Sequence, residues 1–508
     1  MQIYSDKCFE KPVRIIEAEE NLQEALNEID KLRKKYFLLG YITYDFKKLY
    51  FEVFDKYKKY TPAKSKQLGT IIRPKITKEQ YINAIEKIKQ YISEGVTYEV
   101  NYTYPSEVLT NLDGIELFEA LLDKQKTPYN TFIKNKYTTL LSFSPELFFR
   151  LEGRKITTKP MKGTAPKLDD GKDEERRDFL KNRAENIMIV DLLRNDLGRI
   201  AKTGTVKVNK LFEIEEHPTV YQMTSEVSAI LEDRISLFDI FKAIFPCGSI
   251  TGAPKVSTMK VIDELEPFDR NLYCGAIGYL SPDICEFSVP IRILYGNNHK
   301  YTYHAGGAVV WDSNAEDEWE ETLTKTKFLQ TDFQLIETGT DDWENHIQRM
   351  KKSAAALNFK WNSSIKNIKG TKRVLLNRDG SFEIQEKTFL PIISNKIRLG
   401  RKTNSANPFL YHKTTIRESA PDDIFDIIGI NERGEITEGT FTNIAVQING
   451  ELYTPPVECG LLAGTFRAKL LEQGKIKEKV LYPSDLEKAE KIFCFNSVRK
   501  MVEVELCS

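Results

Sequence analysis

Apolar positions recur at helical spacing in several stretches of this chain. Over residues 77–94, Tyr81, Ile85, Ile88 and Ile92 fall on one face, and Thr77 with Gln80 forms a capping box. Gly95 ends that pattern, so the spacing predicts a helix whose apolar stripe is core. NLQEALNEIDKLRKKY is another amphipathic segment, and Ile347, Met350, Ala354 and Leu357 mark a further helix face. Ser313 and Glu316 read as a second capping box, which starts a helix over DEWEETLTKTK. Elsewhere the period changes to two: FLLGYITYDF and VTYEVNYTYPSEVL alternate as strands, and LSFSPELFFRLEG, GAIGYLSP and ICEFSVPIRILYG continue the strand-rich pattern. The mixture predicts an α+β fold with large, mainly antiparallel sheets and flanking helices. WNSSIKNIKGTKRVLLNRDGSFEIQ is polar and turn-rich and reads as a surface hairpin.

At 508 residues the chain exceeds one ordinary core. Lys plus Arg equals Asp plus Glu at 74 each, which leaves no electrostatic footprint for nucleic acid or an anionic membrane. A small-molecule enzyme fits better. The seven cysteines are scattered without a CxxC, so neither a disulfide framework nor a zinc site is indicated, and they read as thiols of a reducing cytoplasm. The N-terminal residues lack the apolar core of a signal peptide, and no apolar run is long enough to span a bilayer. The expectation is a soluble, cytoplasmic protein.

The densest chemical signal is PMKGTAPK, residues 160–167, which sets Lys162 between a proline-fixed backbone and a glycine. SPELF, residues 144–148, presents Glu146 at the end of an apolar run. On neighbouring strands the two would supply a nucleophile and a general acid, although a surface ion pair is the commoner use of such residues. Glu318 and Glu321 share a helix face at a spacing of three, where two carboxylates either repel or hold a hard cation.

AENIMIVDLLRNDLGRI, PCGSITGAPKVSTMKVIDELEP and AGGAVVWDSNAEDEWEETLTKTK follow in order, and together with PMKGT and SPELF they resemble the chorismate-using enzymes. That family includes anthranilate synthase, isochorismate synthase and aminodeoxychorismate synthase component I. The resemblance covers about residues 71–330, with residues 1–70 as a shortened N-terminal part lacking a counterpart of the inhibitory tryptophan site. It implies a Mg2+ site at Glu185, Glu321 and, more peripherally, Glu318, with Asn182 where several relatives carry another acid. It also implies chorismate contacts from Thr164, Tyr273, Arg292, the backbone at Gly306, and Lys325. Lys162 stands where anthranilate synthases have alanine and aminodeoxychorismate synthases commonly have lysine; it would add at ring carbon 2 while Glu146 protonates the departing C4 hydroxyl. Gln222 stands near the histidine of anthranilate synthases, which weighs against pyruvate elimination in this site.

YHKTTIRE, GEITEGTFTNIAV and TPPVECGLLAGTFR resemble the class IV pyridoxal-phosphate enzymes, a D-amino-acid-aminotransferase-like α+β fold, over about residues 331–508. That family contains aminotransferases and aminodeoxychorismate lyase. The resemblance implies that Lys413 forms the Schiff base to pyridoxal 5'-phosphate, and that Glu438 pairs with the pyridine nitrogen. Arg349, Thr442, Gly464 and Thr465 would hold the phosphate. The family's usual opening strand is replaced by the end of the first half.

The two resemblances explain each other. Amination of chorismate to 4-amino-4-deoxychorismate leaves a product from which a second, pyridoxal-dependent step removes pyruvate to give 4-aminobenzoate, a folate precursor. The chain has no candidate glutaminase cysteine, so the ammonia comes from solution or from a separate glutaminase subunit. The class IV half raises a homodimer through that half. Two other readings stay open: an anthranilate synthase component I-like enzyme fused to a class IV aminotransferase, and an active synthase with a non-catalytic C-terminal module.

Overall fold

Two ten-stranded antiparallel sheets face one another across a shared apolar core within residues 1–330. The computed structural model describes residues 1–125, 127–166, 180–216, 220–388, 392–418 and 423–507. One sheet runs in the order Gly252–Ala253, Glu99–Thr110, Lys300–Val309, Ile293–Asn297, Thr139–Ser144, Tyr129–Lys134, Gln2–Tyr4, Lys7–Phe9 and Lys58–Lys59, with Thr70–Pro74 also paired to Glu99–Thr110. The other runs Met161–Pro166, Val220–Ile230, Lys155–Lys159, Leu147–Glu152, Cys285–Ser288, Ala276–Leu280, Phe37–Ile42, Lys48–Phe54 and Arg14–Glu19, with Lys207–Glu216 also beside Val220–Ile230. The N-terminal strands belong to both sheets, which therefore run through residue 70 without interruption.

The helix predicted after Thr77 spans Lys78–Ser93, with the Thr77–Gln80 capping box formed and Tyr81, Ala84, Ile85 and Ile88 buried. Gly95 follows in the left-handed region at φ +74°, where glycine carries no Cβ penalty. Each fully buried isoleucine contributes on the order of 2 kcal/mol. The helix Ala315–Thr324 also forms, but its cap is Asn314, whose side chain accepts from the backbone of Glu316 and Asp317. Ser313 instead donates to Glu318 Oε1 at 2.7 Å. Strand Phe37–Ile42 is buried almost throughout rather than in alternation, because sheet neighbours lie on both sides of it and core covers both its faces.

ICEFSVPIRILYG is not one strand. Cys285–Ser288 lies in one large sheet and Ile293–Asn297 in the other, so the segment between them crosses the core. Thr139–Ser144 and Leu147–Glu152 make the same transition. The two crossings are tied together: Ser144 Oγ donates to Val289 O at 2.5 Å, Val289 N to Glu146 O at 3.1 Å and Phe143 N to Arg292 O at 2.9 Å.

After residue 330 a three-stranded sheet, Leu335–Gly339, Lys372–Leu376 and Phe382–Glu386, packs against the helix Trp343–Ala356. The expected hairpin is therefore present, but Val374 and Leu376 turn into a core. A seven-stranded mixed sheet follows, with Lys396–Lys402 parallel to both of its neighbours. The halves share apolar packing: Ile71 of the first lies in one cluster with Phe333, Leu335 and Phe409. Gly69 marks one close approach, since a Cβ there would meet Ile416 Cδ1 at 2.2 Å and Phe409 Cε1 at 2.9 Å. Among the described residues no helix is long and apolar enough to cross a membrane.

Two candidate active sites

In the first half the strand Glu99–Thr110 is the rail along which candidate residues gather. Lys162 Nζ donates to Glu99 Oε1 at 2.7 Å and to Glu185 Oε1 at 2.5 Å. Burial pulls the lysine's pKa down, but the charges of Glu99 and Glu185 more than offset this and hold it above its ordinary value. Lys162 is therefore an ammonium here. Glu99 is fully buried, accepts also from Asn101 Nδ2 at 3.2 Å, and keeps an Oε2 with no hydrogen-bond partner among the described residues. Burial raises its pKa, against the pull of Lys162.

Glu146 is not on a strand neighbouring Lys162, because Lys155–Lys159 and Val220–Ile230 lie between their strands. It sits at a crossing between the sheets, still close enough to feel the charge of Lys162. Its Oε1 accepts from Ser249 Oγ at 2.6 Å, and burial lifts its pKa to about 7 despite that bond. Such a carboxyl can give or take a proton near neutrality.

Arg292, on the adjacent crossing, donates from Nη1 to Gln125 Oε1 at 2.9 Å, and burial lowers its pKa. Tyr273 is buried and stacks on His304, their ring centroids 4.9 Å apart. Lys325 Nζ donates to Gly306 O and pairs with Glu321 Oε1, both at 2.7 Å. The Gly306 carbonyl is thus engaged by that lysine. Thr164 pairs through its backbone with Gln222, while its side chain and that of Asn182 lie outside the described residues.

Glu185, Glu318 and Glu321 do not form one ready-made cluster. Lys162 holds the first, Ser313 the second and Lys325 the third, and among the described residues no group of three acidic, histidine or cysteine side chains is arranged to hold a metal ion. Two observations fit a divalent cation nonetheless. A Cβ at Gly307 would meet Glu318 Oε2 at 3.2 Å, Lys325 Nζ at 3.7 Å and Glu321 Oε1 at 3.8 Å, so glycine keeps a hollow open at two carboxylates with the Lys325 ammonium beside them. Glu318 also feels the charge of Glu185, and oxygen donors of this kind are the ligands magnesium takes.

In the second half Lys413 is partly buried beside the strand Leu335–Gly339, its carbonyl accepting from Ile336 N at 2.9 Å. Burial lowers its pKa to about 8, with the charge of Glu337 opposing. Glu337 is buried and holds Arg349 bidentately, Nε to Oε1 and Nη2 to Oε2, each at 2.7 Å. His346 Nδ1 lies 2.7 Å from Glu337 Oε2. Arg349 Nη1 donates to Ala463 O at 3.0 Å, beside the start of the helix Thr465–Glu472. Thr465 Oγ1 lies 3.3 Å from His346 Nε2. The Thr442 hydroxyl donates to Asp426 Oδ2 at 2.6 Å, so its proton is already committed.

Glu438 is buried, accepts from Asn443 Nδ2 at 3.2 Å, and has an Oε1 without a hydrogen bond among the described residues. Burial raises its pKa. An orphaned buried carboxylate oxygen fits a protonated ring nitrogen. Gly464, where a Cβ would lie 2.1 Å from Asn443 Oδ1, leaves backbone amides clear at a helix start, which fits a phosphate. Motif and spacing did not bring forward Glu99, Ser249, His304, Glu337 or Arg417. Glu99 sits as a carboxylate inside the alternating run VTYEVNYTYP, and Ser249 and Arg417 lie within PCGSITGAPKV and YHKTTIRE, so these three carried a signal that was not singled out; His304 and Glu337 did not.

Residues 54–331 match the chorismate binding enzyme family and residues 398–507 the class IV amino-transferases. Aminodeoxychorismate synthase component 1 of Escherichia coli (strain K12) is 38% identical over 274 residues, which are 52% of this chain and 60% of that protein. Anthranilate synthase component 1 of Aquifex aeolicus is 34% identical over 278 residues, 53% of this chain and 56% of that protein. The chain thus spans 56–60% of the length of these curated relatives and 30% of aminodeoxychorismate synthase of Arabidopsis thaliana. Anthranilate synthase component I from Streptococcus pneumoniae superposes with a TM-score of 0.57 at 22% identity, over 65% of this chain and 93% of that one, which shows a shared fold. Pyridoxal 5'-phosphate is the cofactor implied by the class IV segment, and Mg2+ the ion implied by the chorismate-binding one. With more than half of its length inside the match, the chain belongs to the chorismate binding enzyme family, and a class IV amino-transferase segment follows in the same polypeptide.

Proposed function

We propose that the first site aminates chorismate to 4-amino-4-deoxychorismate and that the second removes pyruvate from that product to leave 4-aminobenzoate. The observation that carries this reading is a lysine in each site with a carboxylate suited to the chemistry proposed there. Lys162 has Glu146 nearby, and Lys413, with a pKa near 8, feels the charge of Glu337. The first product still carries its enolpyruvyl group, so a second site in the same chain has work to do.

In the first reaction Lys162 first gives up a proton, and Glu99 Oε1 at 2.7 Å is an acceptor already in contact. The amine adds at ring carbon 2 while Glu146, about half protonated at neutrality, donates to the C4 hydroxyl that leaves as water. Ammonia attacks C4 and the lysine is expelled, so that one ammonia enters for one water released. Arg292, Tyr273 and Lys325 are the donors for the two substrate carboxylates, and Glu185, Glu318 and Glu321 would hold the magnesium that neutralises one of them. Chorismate and ammonia are the substrates, with a separate glutaminase subunit as the ammonia source.

In the second reaction pyridoxal phosphate, when bound, supplies an electron-withdrawing ring. Glu438 would hold the ring nitrogen, while Arg349 and the amides at Gly464 and Thr465 would hold the phosphate. Lys413, neutral in part near pH 8, holds and returns a proton at Nζ. The test is product analysis from chorismate, ammonium, Mg2+ and pyridoxal phosphate. Intact protein yields 4-aminobenzoate with pyruvate, whereas Lys413→Ala accumulates aminodeoxychorismate. Release of 2-aminobenzoate instead, or unchanged 4-aminobenzoate from Lys413→Ala, refutes the reading.

A further inference from the structure

Lys413 does not rest on the second half alone. Its segment runs beside the edge strand Leu335–Gly339: Ile336 N donates to Lys413 O and Thr415 N to Gln334 O, both at 2.9 Å, and Gln334 N donates to Thr415 Oγ1 at 3.0 Å. Leu335 and Thr414 form an antiparallel bridge between these bonds. The same strand carries Glu337, whose charge acts on the lysine. Whatever fixes this strand therefore fixes both the backbone of Lys413 and a carboxylate that sets its charge balance.

The strand is fixed from the first half. Thr70, 2% exposed, opens the strand Thr70–Pro74 and has its N–H, hydroxyl and carbonyl all engaged by residues that lead into or belong to the second half. Its N donates to Thr331 Oγ1 at 3.0 Å, its Oγ1 donates to Leu329 O, and its O accepts from Arg378 Nη2 at 3.2 Å. Thr331 lies four positions before Leu335, a reach of about 14 Å at full extension, so the start of the strand cannot drift far from Thr70. The Arg378 guanidinium also lies over the rings of Phe333 and Phe359, 5.3 and 5.0 Å from their centroids. Two further bonds cross between the halves. Arg73 Nη2 donates to Ala356 O at the end of the helix that bears Arg349, and Asn407 Nδ2, six positions before Lys413, donates to Asn111 O at 3.1 Å.

Burial is the largest influence on the Lys413 amine, with Glu337 favouring the ammonium and Arg349, Arg417 and Arg373 disfavouring it. That burial depends on a tight seat. A segment that lifts from the strand admits water, and the lysine then returns toward its ordinary value.

We propose that Thr70, Thr331 and Arg378 are positioning residues for Lys413, a joint through which the first half seats the lysine of the second. The inference rests on the reading of the second half as a pyridoxal-phosphate enzyme, and it makes the chorismate-binding half a working part of that site.

The test uses the full chain with Thr331→Val and Arg378→Met combined, which removes the acceptor for Thr70 N and the donor to Thr70 O while keeping side-chain bulk. Amide exchange with deuterium, read without cofactor, reports the seat directly. The amides of Ile336 and Thr415 exchange about tenfold faster or more in the double variant. Capture of added pyridoxal phosphate, followed by absorbance across pH, moves its midpoint up from about 8 by about half a unit or more, because a wetter lysine keeps its proton to higher pH. Arg378→Lys, which keeps a donor for Thr70 O, stays near wild type in both measurements. Chorismate consumption persists and shows that the first half is folded. Wild-type exchange at the two amides with a midpoint within about 0.2 unit overturns the proposal. Faster exchange spread evenly through the second half with an unmoved midpoint also overturns it, since that is general loosening. Absence of cofactor capture by the wild type instead overturns the reading of the second half, while the amide exchange still decides whether the joint seats the segment.

Discussion

Arg349→Met should cost the second half a large part of its stability. Glu337 is 2% exposed and accepts two bonds of 2.7 Å from Arg349, so removing the guanidinium leaves a buried carboxylate with His346 as its remaining partner. Breaking one side of such a pair costs about 3–5 kcal/mol, whereas replacing both sides by apolar groups is far milder. For a unit of this size each kcal/mol moves the unfolding midpoint about 2–4 °C, so a loss of roughly 6–20 °C is expected. Glu337→Leu with Arg349→Met should recover much of it. Trp343, whose ring centroid is 5.4 Å from that of His346, reports this corner by fluorescence. The pH dependence supplies a second check. Burial pushes the Glu337 pKa up, but the Arg349 charge and the bonds from His346 and Arg349 hold it well below the ordinary carboxylate range. The stability it contributes is therefore complete above its unfolded pKa of about 4.3 and is lost as pH falls. In Arg349→Met burial is left less opposed, so acidification toward that pKa should stabilise instead. A single variant within about 2 °C of wild type, with an unchanged pH slope, would refute the reasoning.

Four further outcomes follow from the two sites. Amination should fall as pH rises through about 7, as Glu146 loses its proton; Glu146→Gln should lose that limb with most of the rate, and Ser249→Ala should move it upward by removing a bond that favours the carboxylate. Capture of added pyridoxal phosphate, followed by absorbance, should speed up with pH and level off above about 8, where Lys413 is neutral; a flat profile from about 6.5 to 9 would contradict the buried amine. Glu321→Ala should raise the magnesium needed for half-maximal amination about tenfold or more, and an unchanged requirement would remove Glu321 from the metal set. Gly69→Val should crowd Ile416 and Phe409, which flank the Lys413 segment, so cofactor capture should weaken while chorismate consumption persists; equal capture would show that the first half does not position that lysine.

Local chemistry was legible because it is written in neighbouring residues. The Thr77 cap, the Tyr81 to Ile88 stripe and the stop at Gly95 depend on spacings of a few positions, and the structure reproduces them. At Asn314 the same logic slipped by one residue, since a serine and an asparagine compete for the cap and the sequence does not show which hydroxyl a nearby glutamate will take. Order of motifs was equally legible, and it brought Lys162, Glu185 and Lys413 forward as candidates.

What the sequence by itself determined is the set of elements and the chemical types placed on them. Which groups meet was decided only by the tertiary structure. Glu146 and Arg292 come to lie on adjacent crossings because two separate segments pass between the same pair of sheets and bond to each other there. Lys162 is held as an ammonium because Glu99, from a strand of the opposite sheet, is buried against it. Glu337 is pinned by Arg349 rather than left facing Lys413 alone, because the helix Trp343–Ala356 packs against its strand. Protonation state follows from burial and from the nearest opposite charge, and both are long-range quantities. Neither is encoded in the spacing of residues along the chain.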